Sequence, residues 1–235
     1  IDEIIALGVV PRLVELVREN SETDDSQRHH LLVEALWALT NVCSGTSEHC
    51  KVVVGDDGAV ELFVKLAGSS NSCVRQQAVW LLGNVAGDST EMRDHVLNCG
   101  AMPPILECMR ERDSIAMQCN AAWTLSNLTR GKPRPAWSMV SPSLPVLAEM
   151  ILSSTDDEVR TETCWAISHL SDGPNDNIQA VLDTGVCSLI IELMSAPKPS
   201  VVAPALRTVG NMVRDRPSLG AFQPALGPLV ALAGR

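Results

Sequence analysis

Apolar residues recur along this chain at intervals of three and four, and polar breaks separate the apolar segments. The segments "EALWALTNVCSG", "QAVWLLGNVAGD" and "NAAWTLSNLTRG" share this spacing, which is typical of helices that bury one face. The sequence contains no β-hairpin pattern. The pattern therefore predicts an all-α protein.

One helical register repeats through the chain. It is occupied at intervals of 43, 43, 42 and 42 residues by Trp37, Trp80, Trp123, Trp165 and Arg207. The position four residues later is occupied by Asn41, Asn84, Asn127, His169 and Asn211. A fixed period of this length is the mark of a helical solenoid built from stacked two-helix or three-helix units.

Glycines and prolines divide each unit into a short helix, a middle helix and a long third helix. Glycine is expected to end the short helix in the left-handed conformation at Gly8, Gly58, Gly100 and Gly185. The expected units cover about 1–45, 46–88, 89–131, 132–173 and 174–214, with a partial sixth at 215–235, all in a single domain. Pro133 predicts a short or irregular first helix in the fourth unit, and the polar stretch "RENSETDDSQRHH" predicts a surface loop in the first.

Charge and composition narrow the class of partner. Lysine and arginine total 18 against 28 for aspartate and glutamate, so the net charge of -10 favours cationic partners and disfavours nucleic acid. The apolar runs are shorter than the roughly 20 residues of a membrane-spanning helix, and no signal segment opens the chain. We expect a protein of the cell interior that binds no membrane, and the start at Ile1 suggests a fragment.

The eight cysteines do not suggest a metal site. They never approach within seven residues of one another and form no C-x-x-C pair, which argues against zinc. Most lie in apolar helical windows, so we expect buried, reduced thiols. We predict neither a metal nor another cofactor.

The repeated tryptophans form one row of side chains and the repeated asparagines a second row beside it, and we call these rows the ladders. Together they suit a peptide ligand. A carboxamide can donate to a C=O and accept from an N–H, which suits the backbone of an extended peptide. Slots between indoles suit the aliphatic stems of lysine or arginine, with cation-π attraction at the head group. Asp88, Glu158 and Glu162 lie near the ladder in sequence, so the expected ligand is a short, lysine-rich, extended segment.

Five segments carry a family resemblance. "ALWALTNVCSGTSE", "AVWLLGNVAGDS", "AAWTLSNLTRGKP", "CWAISHLSDGPN" and "PALRTVGNMV" closely resemble successive armadillo repeats of importin alpha, the adaptor for cargo proteins with basic nuclear localisation signals. The resemblance covers nearly the whole chain. It implies a right-handed superhelical solenoid of armadillo repeats, a role in nuclear import, and a location in both cytoplasm and nucleus.

The resemblance also implies site residues. It places the main signal-binding groove at Trp37, Asn41, Trp80, Asn84, Trp123 and Asn127. It implies a selective lysine pocket formed by the Gly45 carbonyl, the Asp88 carboxylate and position 50, where Cys50 stands in place of the threonine expected in relatives. Glu158 and Glu162 would serve neighbouring pockets for basic side chains.

The same resemblance marks where the main groove ends. Trp165 would close it, and His169 stands where relatives usually have tyrosine. Arg207 replaces the ladder tryptophan, and Asn211 would begin a minor groove whose later repeats are missing here. The family's basic N-terminal segment, which binds importin beta and occupies the free groove, is also absent, so we expect neither of its effects from these residues.

Two other classes of protein fit the sequence less well than the adaptor. A catenin-like armadillo scaffold for adhesion or signalling usually presents a basic groove, whereas this chain is acidic. An enzyme could use Cys43 with His49 or Cys164 with His169. Neither spacing brings two helical side chains face to face, so we predict that the chain is not an enzyme.

Overall fold

The computed structural model describes residues 1–23, 25–55 and 57–213, and all regular structure in this part of the chain is helical. The chain divides into two compact units, Ile1–Cys108 and Met109–Arg235. Among the described helices, none is long and apolar enough to cross a membrane. The predicted partial sixth repeat at 215–235 lies outside the described residues, and the single domain stays a prediction.

The first unit repeats the order short helix, middle helix, long third helix. Its helices are α1 Asp2–Ala6, α2 Val9–Asn20, α3 Ser26–Cys43, α4 Ser47–Val54, α5 Ala59–Leu66, α6 Ser72–Asp88, α7 Thr90–Asn98 and α8 Met102–Met109, the last ending one residue past the unit boundary. The third helices α3 and α6 pack against each other. The repeat predicted from the tryptophan spacing therefore places Trp37 and Trp80 on neighbouring helices.

The second unit continues the same order. Its helices are α9 Ile115–Thr129, α10 Trp137–Val140, α11 Leu144–Ser153, α12 Asp157–Ser171, α13 Asn175–Asp183, α14 Cys187–Leu193 and α15 Pro199–Val213, with a 3₁₀ turn at Ser141–Ser143. The third helix α12 packs against both α9 and α15. The short first helix predicted for the fourth repeat is confirmed, because α10 has only four residues.

Glycine closes the short helices as predicted. Gly8, Gly58, Gly100 and Gly185 have φ values of 69°, 77°, 82° and 77°, in the left-handed region that only glycine adopts readily. Each lets the chain turn directly into the following middle helix. These turns fix the junction between the first two helices of a repeat.

Three of the long third helices begin with a side-chain cap at the same position, nine residues before the ladder. Asn71 Oδ1 accepts from Cys73 N at 3.0 Å, Ser114 Oγ from Met117 N at 3.2 Å, and Asp156 Oδ1 from Glu158 N at 2.9 Å. Such caps satisfy backbone N–H groups that the helix itself leaves without partners. A common start gives the ladder residues a common position along their helices.

The polar stretch of the first repeat is less of a loop than predicted. α2 continues to Asn20, whose Nδ2 donates to Leu16 O at 2.7 Å, and α3 begins at Ser26. Asp25 caps α3 by accepting from Gln27 N at 2.8 Å. The predicted loop was too long because its polar residues lie on exposed helical turns and at a cap.

The cysteines form no disulfide, and all eight lie in the described residues. The prediction of buried thiols holds for Cys43, Cys50, Cys108 and Cys164. Cys73 is exposed, and the other three are half-buried. Whether a thiol is buried or exposed depends on the helix face that carries it. A count of apolar neighbours in the sequence does not give that face.

Candidate functional site

The ladder tryptophans lie at the surface rather than in the core. Trp37 is 49% exposed and Trp80 is 38% exposed, although the adjacent Leu36 and Leu81 have no exposed surface. Trp123 and Trp165 are half-buried in the second unit. A tryptophan needed only for packing would be covered, so these four indoles offer apolar surface to a ligand.

The ladder asparagines connect neighbouring repeats. Asn84 Nδ2 donates to the backbone oxygen of Thr40 at 3.0 Å, which joins α6 to α3. In the second unit Asn211 Nδ2 donates to Ser168 O at 2.9 Å and to Ser171 Oγ at 3.2 Å, which joins α15 to α12. The carboxamide therefore has a structural partner on the preceding third helix, which offsets the cost of its burial.

The ladder asparagines are not equally exposed. Asn41 is exposed, Asn84 and Asn211 are half-buried, and Asn127 is only 4% exposed. The spacing places each asparagine on the tryptophan face. The neighbouring helix covers that face to different extents along the chain.

The predicted lysine pocket of the first unit has a buried floor. Cys50 has no exposed surface, whereas Gly45 is exposed and Asp88 is half-buried. A hydrogen bond with Cys50, together with burial, raises the pKa of the Cys43 thiol. Of the three residues predicted for the pocket, Cys50 alone presents no surface to a ligand.

A capping box holds Gly45 in place. Thr46 N donates to His49 Nδ1 at 3.1 Å, His49 N donates to Thr46 Oγ1 at 3.4 Å, and His49 Nε2 lies 2.6 Å from Asp2 Oδ1. A Cβ at Gly45 would lie 2.4 Å from His49 Nδ1. Glycine at position 45 leaves room for the His49 ring in the capping box, and the Gly45 residue is exposed.

The second unit contains an acidic cavity of about 440 Å³ beside Trp123. Its lining is Cys119, Asn120, Trp123, Asp157, Glu158, Thr161, Glu162, Lys198 and Ser200. The wall thus combines one indole with three carboxylates and a single lysine. An aliphatic stem with a cationic head matches this combination.

Glu162 is a half-buried acid of this cavity. Ser126 Oγ lies 3.1 Å from Glu162 Oε2 and 2.8 Å from Trp123 O, so its single hydroxyl hydrogen can donate to either oxygen, and the contact with Glu162 joins α9 to α12. Burial raises the pKa of the Glu162 carboxyl, Glu158 adds to that effect, and the bond from Ser126 opposes it. Burial therefore favours the neutral form of the Glu162 carboxyl, whereas a cation bound beside it would favour the charged form.

Lys198 is a residue of this cavity that the sequence reasoning missed. Its Nζ lies 2.6 Å from Asp157 Oδ2. The available signal was its position nine residues before Arg207, where α6, α9 and α12 carry the capping side chains Asn71, Ser114 and Asp156. A lysine at that position departs from these three helices.

The far end of the ladder is cationic. The rings of Trp165 and His169 stack with centroids 6.0 Å apart and an interplanar angle of 22°. Burial and the charges of Arg207 and Arg130 lower the pKa of His169 to about 4, although Asp172 opposes them. His169 is therefore neutral at pH 7, and the exposed Arg207 supplies positive charge where the other repeats have an indole.

The part of the chain that the structure describes holds no group of three or more histidine, cysteine or acidic side chains placed to bind a metal ion.

Repeated short, middle and long helices, with tryptophans at one position of the long helices, define a helical repeat protein. The Armadillo/beta-catenin-like repeat family model matches residues 47–87, 89–130, 135–172 and 174–214. The chain belongs to the armadillo repeat family. The predicted armadillo fold is thereby confirmed.

Comparison with individual proteins points to one branch of that family. The chain is 55% identical over 214 residues to importin subunit alpha-1a of Oryza sativa subsp. japonica, which covers 91% of this chain and 39% of that protein. It is 52% identical over 195 residues to importin subunit alpha-2 of Arabidopsis thaliana, covering 83% and 35%. The chain thus spans less than two-fifths of the length of these relatives, and the predicted resemblance to importin alpha is confirmed.

A solved structure shares the fold. A designed armadillo repeat protein in complex with peptide (KR)4 superimposes with a TM-score of 0.81 at 24% identity, covering 94% of this chain and 90% of that one. At this identity the likeness concerns the fold.

Proposed function

We propose that this chain is the cargo-binding part of a nuclear import adaptor and binds a lysine-rich or arginine-rich nuclear localisation signal as an extended peptide. The observation that carries the proposal is the pair of exposed indoles, Trp37 and Trp80, on packed third helices. They occur in a chain 55% identical to an importin subunit alpha. The net charge of -10 gives the surface the sign that a basic peptide requires.

In the first unit, the peptide's aliphatic stems lie against the faces of Trp37 and Trp80. The Asp88 carboxylate and the Gly45 carbonyl receive a lysine ammonium at the end of such a stem. Asn41 and the carboxamide oxygen of Asn84 hydrogen-bond the peptide backbone, because the Asn84 amide nitrogen already donates to Thr40. Cys50 supports this pocket from beneath.

In the second unit, the cavity beside Trp123 takes a further cationic side chain. Glu158 and Glu162 neutralise its charge, and Trp165 lines the last part of the groove. Asn127 is 4% exposed, so it offers the peptide backbone less surface than Asn41. Arg207 ends the main site by repulsion of cationic side chains, and Asn211 begins the minor one.

The proposal also covers the partner and the cellular location of the longer protein. The longer protein would partner importin beta through the basic N-terminal segment that the family resemblance implies, and it would move between cytoplasm and nucleus. Its role is adaptor binding without catalysis, nucleic-acid binding or membrane binding. A catenin-like scaffold, the alternative, would prefer acidic or amphipathic partners.

The first test is calorimetric titration with a short peptide that carries a Lys-Lys-Lys-Arg-Lys core, monitored also by tryptophan fluorescence. We expect micromolar or tighter binding, with loss of about tenfold or more for Asp88→Lys because an attractive charge becomes a repulsive one. Asp57→Lys is the matched control, since Asp57 is exposed in the same unit but lies outside the third helices. Both variants change the net charge equally.

The outcomes separate the candidates. Equal weakening by Asp88→Lys and Asp57→Lys would reduce the effect to net charge and remove Asp88 from the site. Failure of the folded protein to bind either this peptide or (KR)4 would overturn the adaptor proposal. Tighter binding of an acidic peptide than of a basic one would favour the scaffold instead.

A further inference from the structure

Lys198 directly precedes α15, the position of a capping residue, but its side chain cannot accept a hydrogen bond. Its backbone oxygen accepts from Val201 N at 3.0 Å and from Val202 N at 3.2 Å, so it stands at the first turn of the helix. Lysine has no side-chain acceptor that could cap this turn, and its charge lies near the positive end of the helix dipole. Because a lysine at this position disfavours the start of the helix, we expect it to make a compensating interaction elsewhere.

The compensating interaction is with the preceding third helix. Lys198 Nζ bonds Asp157 Oδ2 at 2.6 Å, with 62% and 40% of the two side chains exposed. The bond and charge of Asp157 raise the pKa of Lys198, and the charges of Asp156 and Glu158 add to this. The lysine is therefore held as a cation at the acidic first turn of α12.

This ion pair lies in the wall of the cavity beside Trp123. Lys198, Asp157, Glu158 and Glu162 all line it. One of its three carboxylates is thus already neutralised by a cation from the chain itself. The remaining two face a ligand that brings one positive charge more easily than a ligand that brings several.

We propose that Lys198 is a specificity-determining residue, an internal cation that competes with the ligand for Asp157 and leaves Glu158 and Glu162 for a single cationic side chain. The inference rests on the proposed binding of basic peptides and names how this cavity selects among them. Peptides with adjacent cations at this point lose one partner to Lys198. The cavity therefore favours a lone basic side chain over a cluster.

The test is the affinity of Lys198→Ser for the Lys-Lys-Lys-Arg-Lys peptide. Serine removes the internal cation and supplies a capping hydroxyl, so the variant is expected to remain folded. We expect binding about two- to fivefold tighter, the range of an exposed ion pair. Lys132→Ser is the matched control, because Lys132 is 73% exposed, pairs with Asp172 and carries the same charge.

A double-mutant cycle isolates the competition. Asp157→Asn should change peptide affinity little when Lys198 is present, since that carboxylate is already paired. In the Lys198→Ser background, the same change should cancel the gain. Circular dichroism of each variant verifies that the helical content is retained.

Each result decides a separate question. Equal gains from Lys198→Ser and Lys132→Ser, or additive effects in the cycle, would overturn the role of Lys198 while leaving peptide binding intact. Absence of binding in both the wild type and Lys198→Ser, with helicity retained, would overturn the proposed function itself. Tighter binding by Lys198→Ser than by the wild type, with Lys132→Ser unchanged, would support the role of Lys198.

Discussion

The side-chain amide of Asn84 donates a hydrogen bond to the backbone oxygen of Thr40, 3.0 Å away on the preceding third helix. Asn211 and Ser168 repeat this relationship in the second unit at 2.9 Å. A polar side chain can therefore share a helical face with tryptophan because one of its groups is satisfied within the fold. The ladder asparagine therefore joins neighbouring repeats independently of any ligand.

Removal of this bond should lower stability. Asn84→Ala is expected to reduce the free energy of unfolding by about 1 kcal/mol, the net value of one hydrogen bond with a partly buried partner. Urea denaturation followed by circular dichroism measures the loss. Asn41→Ala is the control, because Asn41 is exposed, and it should cost less than about 0.5 kcal/mol.

Peptide binding separates the two roles of asparagine. Both variants should weaken binding of the basic peptide if both carboxamides hydrogen-bond its backbone. Equal stability of Asn84→Ala and the wild type would show that the bond to Thr40 contributes nothing to the fold. Unchanged affinity of Asn41→Ala would remove that residue from the site.

The sequence predicts what depends on a single helix and its period. The spacing of Trp37 and Trp80 places both on equivalent helices, and Gly58 marks a turn that its φ of 77° requires. The burial of Cys50 and Asn127 depends on what neighbouring helices cover. Long-range packing of this kind has no signal in local periodicity, so the sequence overestimated the exposure of Asn127.

The charged residues around the cavity beside Trp123 could also be predicted only in part from the sequence. Glu158 and Glu162 were found because they lie seven and three residues before Trp165 on one helix. Lys198 lies 41 residues beyond Asp157, and only the packing of α15 on α12 brings them together. Within one helix the sequence specifies neighbours, whereas between repeats it specifies only equivalent positions.

The stability of the second unit should depend on pH through His169. Its pKa of about 4 in the folded chain is below the ordinary value of 6.5, so the unfolded chain binds the proton more readily. The neutral ring's contribution is fully present above pH 6.5 and is lost as the pH falls toward 4. The loss amounts to about 3 kcal/mol at most.

The measurement compares the wild type with His169→Phe, which keeps a ring beside Trp165 and removes the titration. Urea unfolding between pH 7 and pH 4 should show a smaller loss of stability in the variant. Taking the difference between the two proteins cancels the titration of the many carboxylates. Parallel pH profiles would contradict the burial of a neutral imidazole.

Affinity for a basic peptide should also fall in mild acid through Glu162. Because burial raises the pKa of this carboxyl, it becomes neutral at a higher pH than an ordinary glutamate. Calorimetry at pH 7 and pH 5 should show weaker binding at pH 5 in the wild type. Glu162→Gln should bind more weakly at pH 7 and lose less between the two values, and an unchanged pH dependence would place the effect on other acids.

Two glycine-to-alanine changes should have opposite effects on stability. In Gly45→Ala the new Cβ would lie 2.4 Å from His49 Nδ1, so the ring must leave the capping box of α4, at a cost of about 1 kcal/mol. Gly210 lies inside α15 with nothing within 4 Å of the Cβ that alanine would add, so Gly210→Ala should stabilise the helix by about 0.5 to 1 kcal/mol. Urea midpoints measure both changes. Destabilisation by both alanines would mean that α15 packs more closely at Gly210, whereas tolerance of Gly45→Ala would show that His49 does not fix the backbone of the lysine pocket.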